Sequence, residues 1–71
     1  MAEKKFLANL GARIKELRLS KKLTQNDLAI QCNFEKASMS RIESGKTNVT
    51  VLTLLKISNA LEVDIQEFFK N

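Results

Sequence analysis

The chain has 71 residues, 44% of them hydrophobic and 28% charged, with two glycines, one cysteine, no proline and no histidine; that is enough for one domain around one small core. An intrachain disulfide and a zinc site of clustered cysteines and histidines are excluded, and no apolar run reaches the ~18–20 residues that a membrane-spanning helix needs. The net charge of +4 is unevenly placed, with ten Lys/Arg against five acids in residues 1–46 and two against three in residues 47–71, which fits a polyanionic partner as well as a solvated surface with a basic lean.

The absence of proline and the abundance of Ala, Leu, Lys and Glu favour an all-α chain. Residues 1–5 are expected to be a flexible N-terminal tail, followed by one domain over residues 6–71. The opening MAEKKFLANLGARIKEL carries charges throughout and does not read as a signal peptide. A single cysteine fits a reducing, cytoplasmic setting. Leu7, Leu10, Ile14 and Leu17 form one helical stripe, so the first helix is expected over about residues 6–21. Lys15, Arg18, Lys21 and Lys22 lie mostly off that stripe.

Leu23-Thr24-Gln25-Asn26-Asp27-Leu28 is a helix start. Thr24 can accept from first-turn N–H groups, Asp27 stands at the return position of a capping box, and Leu23 can staple onto Leu28. Leu28, Ala29 and Cys32 then face inward. Asn33 can take the left-handed conformation that ends a helix. Phe34 and Met39 repeat the staple spacing, so a third helix should begin near Glu35 or Lys36, bury Met39 and Ile42, and stop at about Ser44 before Gly45. Thr50 caps a fourth helix with Val51, Leu54, Leu55, Ser58 and Leu61 inside. Asp64 caps a short fifth one with Ile65 and Phe68 inside. NVTVLTLLKI could read as a strand, but no second strand exists to satisfy its backbone.

Two short helices joined by a tight turn, at about residues 24–44, aim the second of them away from the body. An α-helix fits the major groove of B-DNA. Lys36, Ala37, Ser40 and Arg41 lie opposite Met39 and Ile42, where a groove would meet them. TQNDLA, NFEKASMSRIESGKTN and LLKISNALEV together resemble the lambda-repressor-like (Cro/C1-type) helix-turn-helix family, over about residues 8–69. That family includes phage repressors, Cro proteins, restriction–modification controllers and many antitoxins.

The resemblance implies a five-helix domain that binds double-stranded DNA. It matches Lys36, Ala37 and Arg41 to base-reading positions, with Ser40 beside them. Lys36 could equally meet a phosphate, and Arg41 could be a solvated or Glu35-paired arginine. Thr24 and Gln25 match the phosphate-holding start of the second helix. Ser44, Lys46, Thr47 and Asn48 match a phosphate-contacting loop. Arg18 and Glu43 match an internal ion pair. Glu35 stands where Ser or Thr usually caps the third helix, and is a candidate acceptor from a cytosine amino group. Glu62 stands where glycine often ends the fourth helix. Cys32 is read as core packing ahead of a redox switch.

Leu52 and Phe69 are surplus to the inward stripes and, with Ile65, form the expected dimer interface. The lack of histidine, of metal ligands and of a glycine-rich phosphate loop argues against an enzyme and against any cofactor. The expected function is a cytoplasmic, sequence-specific DNA-binding transcriptional regulator acting as a homodimer on an inverted repeat. The alternative is an antitoxin or adaptor that uses the same fold mainly to bind a partner protein.

Overall fold

The structure, a computed structural model, describes residues 2–70. It contains four α-helices, α1 (Ala2–Ser20), α2 (Gln25–Cys32), α3 (Lys36–Glu43) and α4 (Val51–Leu61), followed by a 3-10 helix at Ile65–Phe69. The expected all-α architecture is what forms, with α2 and α3 as the helix-turn-helix. None of these helices is long and apolar enough to cross a membrane.

Each boundary has a local cause. Thr24 Oγ1 accepts from Asp27 N–H at 3.0 Å, and Asp27 Oδ2 accepts from Thr24 N–H at 2.9 Å, a reciprocal capping box. The Thr24 N–H, with the Thr24 hydroxyl beside it, holds the Asp27 carboxyl below its ordinary pKa. Thr50 and Asp64 cap α4 and the 3-10 helix by accepting from Thr53 N–H and Gln66 N–H. At the other ends, Lys22, Asn33 and Glu62 all take positive φ, near +60°. In each case the next residue's N–H reaches back five residues, from Leu23 to Arg18, Phe34 to Ala29 and Val63 to Ser58. This closure satisfies helix-end carbonyls at the cost of a left-handed residue. Asn tolerates that conformation; Lys and Glu do so less readily.

Three expectations need correction. The first helix starts at Ala2, so residues 2–5 form its first turn rather than a tail; Met1 lies outside the described residues. Alanine, glutamate and two lysines favour helix, and Glu3 suits the positive end of its dipole. The fifth element is a 3-10 helix, closed by a bond from Glu67 N–H back three residues to Asp64 O at 2.9 Å. Finally, α4 turns Leu54, Ile57, Ser58 and Leu61 inward, leaving Val51 and Leu55 exposed. That buried set follows the 3, 4, 7 spacing of a helix face. Val51 shares its phase but lies at the open first turn, and Leu55 lies at its edge.

The core joins Leu10 and Ile14 of α1, Leu28, Ala29 and Cys32 of α2, Met39 and Ile42 of α3, the α4 residues and Phe68. α2 packs on α3 and α4, and α1 packs on α3 and the 3-10 helix. Burial pushes the Cys32 thiol pKa up, against a smaller opposing pull from Lys56, so the neutral thiol is favoured.

Gly11 sits where α1 crosses the end of α3. A Cβ there would stand 2.5 Å from the carbonyl oxygens of Ile42 and Glu43. Gly→Ala inside a helix normally stabilises by about 0.5–1 kcal/mol, but overpacking costs about 1–3 kcal/mol, and here the neighbours are backbone. Gly11→Ala should therefore lower stability by about 1 kcal/mol or more in denaturant unfolding. An unchanged or higher midpoint would show that the α1–α3 crossing is looser than described.

Candidate nucleic-acid interface

The turn between α2 and α3 begins at Asn33, whose left-handed backbone redirects the chain within three residues. Phe34 folds back over the core, and Lys56 Nζ lies 5.8 Å from its ring centroid. Met39, Ile42 and Glu43 bury one side of α3. Lys36, Ala37, Ser40 and Arg41 occupy the exposed side, with Glu35 exposed just before them. Among the described residues Lys36, Arg41 and Lys46 enter no ion pair; the four salt bridges use Arg13, Arg18 and Lys70 as cations. The Arg41–Glu35 pairing weighed from sequence is not formed.

What aims this face is a buried ion pair. Arg18 Nε donates to Glu43 Oε2 at 2.7 Å, and Arg18 Nη2 donates to Glu43 Oε1 at 3.0 Å. A third donor, Nη1, reaches Leu23 O at 2.7 Å. Only 5% of Arg18 and 6% of Glu43 is exposed, so each charge depends on the other. Removing one partner of such a pair costs about 3–5 kcal/mol. The pair ties the end of α1 to the end of α3 and to the residue before the α2 cap.

The residues expected around phosphates are less uniform. Gln25 is half-buried as the first residue of α2, and its Nε2 donates to Glu43 Oε1 at 3.0 Å. Thr24 is exposed, with its oxygen committed to the cap. Ser44 Oγ donates back to Ser40 O at 2.9 Å and approaches Arg41 O at 3.2 Å, so its proton is already engaged on α3. Lys46 and Asn48 are exposed, and Thr47 is half-buried. A cleft of about 260 Å³ opens between α3 and the start of α4, with Phe34, Ile42 and Val49 as its apolar lining, and Arg41, Thr47 and Asn48 line it together with Ser38, Thr50 and Thr53. The last three were not singled out from sequence. Thr50 was noticed only as a cap, and nothing in the α3 periodicity points to Ser38. Arg41 thus borders both the exposed face of α3 and this cleft.

Of the apolar residues expected at a dimer interface, Leu52 is 71% exposed and Phe69 is 53% exposed. Phe69 stacks on Phe6 with centroids 6.2 Å apart and an interplanar angle of 17°. Ile65 is half-buried against the core, so it offers less to a partner than Leu52. Among the described residues no cluster of His, Cys, Asp and Glu could hold a metal ion.

The helix-turn-helix family model matches residues 14–68. Control protein C.MunI from Mycoplasma sp is 37% identical over 62 residues, covering 86% of this chain and 84% of that protein. Control protein C.BamHI from Bacillus amyloliquefaciens is 39% identical over 54 residues, covering 75% and 67%. Among solved structures, the restriction-modification controller protein C.AhdI from Aeromonas hydrophila superposes with a TM-score of 0.87 at 33% identity. That match covers 89% of this chain and 96% of the controller.

Glu35 occupies the N-cap of α3 in extended backbone but makes no side-chain capping bond. Asp keeps the charge that suits the helix dipole and is short enough to cap. Glu35→Asp should raise stability by about 0.5–2 kcal/mol in denaturant unfolding. A fall in stability would mean that Glu35 makes a favourable contact absent from this structure.

Proposed function

The chain belongs to the helix-turn-helix family, and we propose that it is a sequence-specific regulator of transcription that lays α3 in the major groove of double-stranded DNA. The observation that carries this is the exposed face of α3. Among the described residues two cations there lack any ion-pair partner, on a helix whose buried end is clamped by Arg18. Arg41 reads a base edge, where its guanidinium can bond guanine O6 and N7 together. Lys36, Ala37 and Ser40 complete the reading face, and Glu35 accepts from a cytosine amino group. Thr24, Gln25, Lys46, Thr47 and Asn48 hold phosphates, and Ser44 joins them only if its hydroxyl turns from α3. The relatives named as control proteins support a controller role, and it is exercised in the cytoplasm without enzymatic activity.

Arg41→Ala should weaken binding to the preferred site by about 1–3 kcal/mol and relax the choice at one base pair. Gln25→Ala should weaken all sequences alike, because phosphate contacts carry no base identity. The measurement is affinity over all single-base variants of a site selected from random duplex DNA. It should also fall with salt by about 0.9 log units per log unit for each phosphate neutralised. A flat salt response would contradict DNA binding; a uniform loss for Arg41→Ala would make Arg41 a phosphate ligand.

The working unit is a homodimer on an inverted repeat. Exposed Val51, Leu52 and Leu55 on α4, with Phe69 and Phe6 beyond them, support an interface at this end. Two α3 helices would then lie about 34 Å apart, one turn of B-DNA. Changing Leu52 and Phe69 together to polar residues should weaken self-association and site binding while the domain stays folded. Sedimentation equilibrium that finds only monomer for the unaltered protein, with and without DNA, would rule the dimer out.

A further inference from the structure

Gln25 is tied to a buried carboxylate, that of Glu43. Glu43 Oε1 accepts from Arg18 Nη2 and from Gln25 Nε2, both at 3.0 Å. The other carboxylate oxygen is held by Arg18 Nε. An ionised carboxylate accepts hydrogen bonds and cannot donate them. It therefore determines which end of the Gln25 amide faces it, and that end is the nitrogen. One amide proton is used in this bond. The second has no acceptor among the described residues. Gln25 is also the first residue of α2, where backbone N–H groups are open and the helix dipole favours an anion.

Resting on the DNA-binding reading above, we propose that Glu43 is a positioning residue for phosphate recognition. Its carboxylate, clamped by Arg18, holds the Gln25 amide so that its second N–H, and not its oxygen, is offered to the DNA backbone. A glutamine without this partner flips freely and presents a repelling carbonyl in one of its two orientations. The bridging amide also places a neutral donor between two anions, the buried carboxylate and the phosphate. The ion pair thus does two things: it sets the angle of α3 and it orients a donor on α2. Loss of the second effect weakens all DNA sequences alike, because only a phosphate contact is touched.

The test replaces the ion pair by apolar residues of similar size, Arg18→Met with Glu43→Leu, which leaves no buried charge and is often tolerated. Affinity for one selected duplex is measured for the unaltered protein, Gln25→Ala, the swapped protein and the swapped protein carrying Gln25→Ala. Circular dichroism and melting establish that each is folded. Gln25→Ala should cost about tenfold in the unaltered background, the scale of one charge-assisted hydrogen bond, and about fivefold or less in the swapped one, where a freely flipping amide offers its N–H at most half the time. Equal losses in both backgrounds would overturn the proposal. Should the swapped protein not fold, the side-chain amide of Gln25 in proton–nitrogen spectra decides. One proton should be shifted and protected in the free protein, and the other should move when DNA is added. Two protons resembling those of an exposed glutamine in both states would overturn it. Failure of the unaltered protein to bind any duplex at low salt would instead sink the DNA reading, and this role with it.

Discussion

The geometry of this small domain depends on one buried ion pair. Desolvating an arginine and a glutamate is costly, and the cost is offset only where both are fully hydrogen-bonded. Here Arg18 spends donors on both oxygens of Glu43 and on the carbonyl of Leu23. Among the described residues no buried side-chain nitrogen or oxygen is left without a partner. Three segments meet at this point: the end of α1, the residue before the α2 cap and the end of α3. Gly11 lets the backbones of α1 and α3 approach closely one helical stretch away. An apolar contact at the same place would permit sliding, whereas a forked guanidinium on a carboxylate fixes direction as well as distance.

Around that anchor the surface divides. Cations toward the 3-10 helix are spent internally, since Arg13 bonds Glu67 O at 2.8 Å and Lys70 bonds Glu67 Oε2 at 2.8 Å. Cations of α3 and the following loop pair with no acid among the described residues. Exposed apolar groups gather instead on α4 and on the Phe6–Phe69 stack. The two surfaces adjoin, since Asn48 of the loop lines one groove with Phe6, Val51 and Phe69. Long side chains with unopposed charge retain their field in solution, which speeds encounter with a polyanion.

Features written in adjacent residues were legible. Thr24 with Asp27, Thr50 and Asp64 announce helix starts because a cap bond spans two or three residues. Asn33 announces a stop because its own side chain tolerates the backbone required. The outward set on α3 follows from one periodic helix with Met39 and Ile42 inside. Features that depend on distant partners were not legible. Lys22 has no local preference for positive φ, and its place is set by Leu23 and Arg18. The apolar run at 51, 52, 54, 55 and 57 allows more than one inward phase, and only packing against α2 selects Leu54 and Ile57. The Gln25–Glu43 bond spans 18 positions, and the family resemblance with the helix start marks Gln25 only as a phosphate ligand. Ser38 and Thr53 join the cleft only because the α3–α4 loop folds beside them.

In the proposed complex α3, braced from behind, is the surface that meets DNA. Proton–nitrogen spectra of the labelled protein titrated with a selected duplex test it most directly. The largest changes should fall on Gln25, on Lys36 through Arg41 and on Lys46 through Asn48, with the amides around Ile57 and Ser58 nearly unmoved. Changes concentrated on Leu52, Leu55 and Phe69, with α3 unperturbed, would show that DNA is met elsewhere.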